Sequence, residues 1–145
     1  MFHRILLAWD GSPPAKRALN VAIDLARRYE GEIVALSVAH SPPGAETEAD
    51  RVESVEAGES YLAESLTSVS DRASRVGVFL EHVILAAEEP VDALLDYAHE
   101  HGFDLVVLGH HHRGRAGRVL LHGLVEPLID AGTIPVLVVN EADGT

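Results

Sequence analysis

The sequence predicts one α/β domain, a five-stranded parallel sheet with helices on both faces. Three observations carry that reading. Five short, nearly continuous apolar runs alternate with stretches whose apolar residues recur every three or four positions. Continuous apolar strands fit a sheet buried on both faces, and helical periodicity between them fits crossover helices. The length, 145 residues, suits a single domain that buries roughly two thirds of its unfolded surface.

Ile5 to Trp9 reads as the first strand and runs into Asp10-Gly11-Ser12-Pro13-Pro14. Ser12 is a good N-cap and Pro13 suits the first helical position. Ala15, Ala18, Leu19, Ala22, Leu25 and Ala26 then mark one helix face, and Gly31 is the expected stop. Ile33 to Val38 is the second strand, and His40 to Asp50, rich in Pro, Gly and acid, is a surface loop. A long helix follows with Val52, Val55, Leu62, Leu66, Val69, Ala73 and Val76 on one stripe; Gly58 is its weak point. Val78 to Leu85 is the third strand. Pro90 opens a helix with Val91, Leu94, Leu95 and Ala98 inward, ending where His99 and His101 favour the dipole and Gly102 stops it. Leu105–Leu108 and Pro135–Val139 are the last two strands, with a short helix near Gly123–Asp130 between them. The domain is expected to span 1–145, with its core in 2–140 and a polar tail.

The formal charge is −12, against binding to nucleic acid or an anionic membrane face. Lys16 stands alone beside ten arginines, which fits either a GC-rich genome or a salt-adapted host. There is no cysteine, which removes disulfides, thiolate metal sites and thiol catalysis. No secretory leader or membrane-length apolar run is visible, so a cytoplasmic location is expected. Glu46, Glu48, Asp50, Glu53 and Glu56 read as a solvated acidic face.

In open parallel sheets, ligands bind beyond the carboxyl ends of the strands, where the strand order reverses. Those ends carry Asp10, His40, Ala86–Glu89 and the loop from Gly109 to Gly123, GHHHRGRAGRVLLHG. Its four glycines and its Arg113, Arg115 and Arg118, set before a helix, read as an anion cradle or a solvated basic loop. His110, His111 and His112 offer metal-ligand chemistry or pH-dependent anion binding, with His40 and His122 at the same edge; plain solvation accounts for them too. Adjacent side chains converge poorly on one ion, so no metal is assigned. Asp10 suits either a ligand hydroxyl or the turn before Ser12, and Trp9 is read as a packing residue.

The opening ILLAWDGSPPAKRAL, the DLVVLG strand exit, the Gly/Arg loop and the closing IPVLVV resemble the universal stress protein family over residues 2–140. The resemblance implies a Rossmann-like sheet in order 3-2-1-4-5, of the adenine nucleotide alpha hydrolase-like type, with two helices per face. It also implies a homodimer through antiparallel pairing of Pro135, Val136, Leu137, Val138 and Val139; such pairing would cover an otherwise exposed edge. Many members bind ATP through a loop of Gly, two residues, Gly, nine residues, Gly and Ser or Thr. Ungapped, those positions are Gly109, His112, His122 and Gly123, so only the first is kept. Gly114 and Gly117 lie close enough to compensate if the loop is re-threaded. Histidines crowd a phosphate where glycine leaves room. The adenosine end is better kept: Asp10 matches the ribose-binding acid, and Ala8 and Val38 match strand ends whose backbone faces adenine. With Leu108, Arg113 and Leu124 flanking the loop positions, these residues make up the expected site for ATP or another adenine nucleotide, ADP or AMP.

Two functions follow as expectations. One is a small stress-response or signalling protein with weakened adenine-nucleotide binding. The other is a dimeric protein-interaction module without nucleotide. No nucleophile–base pair or paired carboxylates are visible in the sequence, so catalysis is expected to be at most slow ATP hydrolysis.

Overall fold

A computed structural model describes residues 1–40, 66–67, 70–110 and 124–140. In chain order the elements are β1 (Arg4–Ala8), α1 (Pro13–Tyr29), β2 (Glu32–His40), β3 (Leu80–Ala87), α2 (Pro90–Glu100), β4 (Leu105–His110), α3 (Val125–Ala131) and β5 (Val136–Asn140). Residues 66–67 and 70–75 are also helical. The sheet has five parallel strands in the order β3-β2-β1-β4-β5. The acidic run, Gly58, most of the expected long helix, and His111, His112, Arg113, Gly114, Gly117, His122 and Gly123 lie outside the described residues.

Alternation along the strands divides the core in two. Ile5, Leu7, Trp9, Ile33, Ala35 and Val107 point to one side, against Ala18, Leu19 and Ala22 of α1 and against Leu66 and Ala73. Leu6, Ala8, Val34, Leu36, Val106 and Leu108 point to the other, against Leu94 and Ala98 of α2 and Leu128 of α3. Trp9 is fully buried, as a packing residue should be, and its Nε1 has no hydrogen-bond partner among the described residues.

Local chemistry explains the ends of α1. Ser12 is extended (φ −73°, ψ 161°), and its hydroxyl accepts from the Ala15 N–H at 3.3 Å. Pro13 and Pro14 fill the first helical positions, where no N–H is required. At the far end the left-handed residue is Glu30 (φ 55°), not Gly31. The Gly31 N–H closes the turn on the Ala26 carbonyl at 2.8 Å. Gly31 is needed for space: a Cβ there would lie 2.5 Å from the Phe2 carbonyl oxygen. Gly102 does take the left-handed conformation (φ 68°), and His101 Nδ1 pairs with the Tyr97 carbonyl at 3.0 Å, so the end of α2 behaves as expected.

The amino-terminal edge of the sheet is tied by side chains. Asp104 accepts from the His3 and Arg4 amides at 2.9 and 3.3 Å. Arg4 pairs with Glu32, donates to the His101 carbonyl at 2.9 Å and lies over the Phe103 ring. Burial pushes the nearby Tyr97 phenol above its ordinary pKa; Glu81 adds to that and Arg4 opposes it.

All five strands differ from the sequence reading at their ends. β1 runs from Arg4 to Ala8 and leaves Trp9 after it. β2 runs from Glu32 to His40, so His40 is a strand residue paired with Ala87 and not the start of the loop. β3 runs two residues later, leaving Val78 and Phe79 before it. β5 starts at Val136 and includes Asn140. β4 extends through Gly109 and His110, which pair with Val139 and Asn140. His110 is therefore a strand residue rather than a member of a loop cluster. No helix among the described residues is long and apolar enough to cross a membrane.

Candidate functional site at the carboxyl ends of β1 and β4

From β1 the chain steps outward through β2 to β3, then returns to the other side of β1 for β4 and β5. The order therefore reverses between β1 and β4, and the crevice beyond their carboxyl ends is the natural ligand position. Asp10 sits directly after β1 at that point. Its Oδ1 accepts from the Ser12 amide at 2.9 Å and the Ser12 hydroxyl at 2.5 Å, while its Oδ2 has no hydrogen bond among the described residues. Gly11 (φ 75°) lets the chain turn sharply between this carboxylate and the helix cap. Asp10 thus has the turn role, with one oxygen left over.

Ala8, Val38, Leu108 and Leu124 are all buried. The side chains of Ala8, Leu108 and Leu124 are spent in the core against α2 and α3, so only their backbone can face a ligand. Val38 pairs with Leu85 of β3 and lies two residues beyond Leu36, which is level with Ala8. Leu124 precedes α3 as its N-cap without a side-chain cap bond.

Gly109 has a role the sequence left undecided. A Cβ there would lie 2.4 Å from both the carbon and oxygen of the Pro14 carbonyl and 2.8 Å from the Ala15 nitrogen. The first turn of α1 rests on the backbone of β4, and only glycine admits that approach. Its presence is explained by helix–sheet packing before any ligand is considered.

The structure also joins two residues that sequence reasoning missed. Ser37 Oγ is 2.7 Å from the Trp9 carbonyl oxygen and 3.1 Å from His82 Nε2. A carbonyl only accepts, so the single hydroxyl proton goes to Trp9, and His82 Nε2–H donates to Ser37. A general base would have to accept from the hydroxyl instead, so this polarity is wrong for an activated nucleophile. With 45 residues between them, no local motif announces the pair. Among the described residues no three His, Asp or Glu side chains are grouped to hold a metal.

Comparison with known proteins bears on the family and the fold. The model of the universal stress protein family matches residues 1–140. A universal stress protein of Thermus aquaticus is 30% identical, the match covering 97% of this chain and 100% of that one. A crystal structure of a universal stress family protein from Burkholderia pseudomallei superposes with a TM-score of 0.72 at 26% identity, covering 94% of this chain and 95% of the other. A universal stress protein in complex with cAMP gives 0.66 at 26% identity, covering 94% and 96%.

Proposed function

The chain belongs to the universal stress protein family, and from that premise we propose that it binds an adenine nucleotide in the β1–β4 crevice. The observation that carries this is Asp10: a carboxylate fixed by its own turn at the reversal point, with Oδ2 unused among the described residues. A relative of the same fold is a cAMP complex, which supports an adenosine-based ligand. Asp10 takes a ribose hydroxyl, and backbone groups of Ala8 and Val38 meet the base. Leu108, Gly109 and Leu124 frame the phosphate side with His112, Arg113, Gly114, His122 and Gly123. A short phosphate chain suits a loop whose second and third glycine positions are histidine. ATP and ADP are therefore weaker ligands than AMP or cAMP in this reading, which assigns a cytoplasmic stress-response role and no metal.

The deciding experiment is the nucleotide content of protein purified without added ligand, read by ion-exchange chromatography after denaturation, followed by titration with AMP, cAMP, ADP and ATP. Retained or titratable AMP or cAMP is expected. A chain that arrives empty and gives no titration signal with any of the four removes the reading. One observation favours a second reading, a protein-interaction module without nucleotide. Gly109, the one kept glycine of the ATP-loop pattern, is already required by the approach of Pro14.

We also propose a homodimer through β5. Pro135 accepts from the Val106 amide, so Pro135, Leu137 and Val139 turn their backbone groups to β4. Val136 and Val138 turn theirs outward, to an edge that carries no further strand among the described residues. Val138→Pro deletes an outward N–H and leaves the β4 rungs intact. Sedimentation is expected to show a dimer for the parent chain and a shift to monomer for Val138→Pro. A monomeric parent, or a variant that stays dimeric at the same concentration, rules out this edge.

A further inference from the structure

Resting on the nucleotide reading above, we infer that Ser37 and His82 are positioning residues that keep the Val38 backbone free for the base. The ladder between β1 and β2 sets the direction of each backbone group. In a parallel pair, alternate residues of each strand face the partner. The Glu32 amide donates to the His3 carbonyl, and the Trp9 amide to the Leu36 carbonyl, both at 2.9 Å. Odd residues of β1 thus face β2, and even residues of β2 face β1. Ile33 donates to Phe79 across the other edge of β2, which fixes the same alternation from the opposite side. The rung after Trp9–Leu36 would bring the Val38 N–H to the Trp9 carbonyl.

That carbonyl is taken by a side chain instead. Ser37 Oγ–H donates to it at 2.7 Å, from a residue with no solvent exposure. His82 Nε2–H, reaching across from β3, donates to the same hydroxyl oxygen and so keeps its proton aimed at Trp9. β1 then leaves through Asp10 and Gly11, so the Val38 N–H and C=O, turned to the β1 side of β2, have no strand residue opposite them to pair with. One donor beside one acceptor matches the amino and ring-nitrogen edge of adenine. Without the hydroxyl, the buried Trp9 carbonyl must find another donor, because leaving it bare is costly. The nearest in the ladder is the Val38 N–H. Pairing would zip the strands one rung further and consume the donor the base needs.

The sign of this effect separates it from simple loosening. Amide exchange at Val38 is expected to slow at least tenfold in ligand-free Ser37→Ala, where mere destabilisation would speed it. His82→Leu moves exchange in the same direction, and His82→Gln, whose side-chain amide places a donor where Nε2 stood, returns it toward the parent. Titration with adenosine, AMP and ribose 5-phosphate supplies the second readout. Adenosine and AMP are expected to weaken about tenfold in Ser37→Ala and His82→Leu, with ribose 5-phosphate unchanged and His82→Gln within about twofold of the parent. Unchanged or faster Val38 exchange in Ser37→Ala overturns the inference, as does equal adenosine binding by parent and variants. A parent chain that binds neither adenosine nor AMP overturns the nucleotide reading, and the ligand role assigned to Val38 falls with it.

Discussion

Gly109→Ala is expected to destabilise the protein by about 3 kcal/mol, the upper end of what one forced methyl costs in a packed interior. The new carbon would sit 2.4 Å from two Pro14 carbonyl atoms and 2.8 Å from the Ala15 nitrogen, all of them backbone. No rotamer change relieves such contacts; the start of α1 or the end of β4 has to move. Moving α1 disturbs the Ser12 cap and the Ala15, Ala18 and Leu19 contacts that bury this helix on the sheet. At roughly 3 °C per kcal/mol for a domain of this size, the melting temperature should fall by roughly 10 °C. Gly77 supplies the control. It has φ +77° but nothing within 4 Å of its would-be Cβ, so Gly77→Ala carries only the left-handed backbone cost, about 1 kcal/mol. Urea unfolding of both variants measures the difference. A Gly109→Ala chain within 0.5 kcal/mol of the parent would show that the helix start yields freely, and the packing account of this glycine would be lost.

That glycine also marks where sequence reasoning reaches its limit. Strands, helices and their order were legible because apolar periodicity reports burial directly, and the cap at Ser12 and the stop at Gly102 follow from local chemistry. Gly31 stops α1 as expected, but a helix-terminal glycine has two possible reasons, positive φ and lack of room, and the sequence does not choose between them. Only the position of Phe2, in the segment that leads into β1, decides between them. Gly109 is the same problem at the site, since a motif position and a packing contact look identical in one dimension. Ser37 and His82 were invisible because their contact crosses β2 and β3 within an apolar strand pattern, where a serine reads as a minor interruption. Of the expected nucleotide site, Ala8, Val38, Leu108 and Gly109 fall in strands, Asp10 follows β1, and Leu124 precedes α3. Strand ends pointed to Asp10 and to the loop from Gly109, whereas Ala8, Val38, Leu108 and Leu124 were assigned through the family resemblance.

Asp10 is where stability and binding can be pulled apart, and the two substitutions are expected to differ. Asp10→Ala removes the acceptor for both the Ser12 amide and the Ser12 hydroxyl, so the turn loses its internal bonds and the cap on Ala15 loses its support. A cost of about 1 kcal/mol is expected, the size of a lost cap. Asp10→Asn keeps a carbonyl oxygen where Oδ1 stood and should stay within about 0.5 kcal/mol of the parent. Binding should follow a different order. A carboxylate that accepts from a ribose hydroxyl contributes about 1.5–3 kcal/mol, and each 1.4 kcal/mol is tenfold in affinity. Both variants lose the anionic oxygen, so both should bind AMP at least tenfold more weakly, including the one whose stability is intact. Calorimetric titration beside thermal unfolding reads both quantities on the same samples. If Asp10→Asn binds AMP as the parent does, the carboxylate is a turn residue only. The carboxyl edge would then offer the ligand backbone groups and the loop beyond Gly109, with no charged side chain from β1.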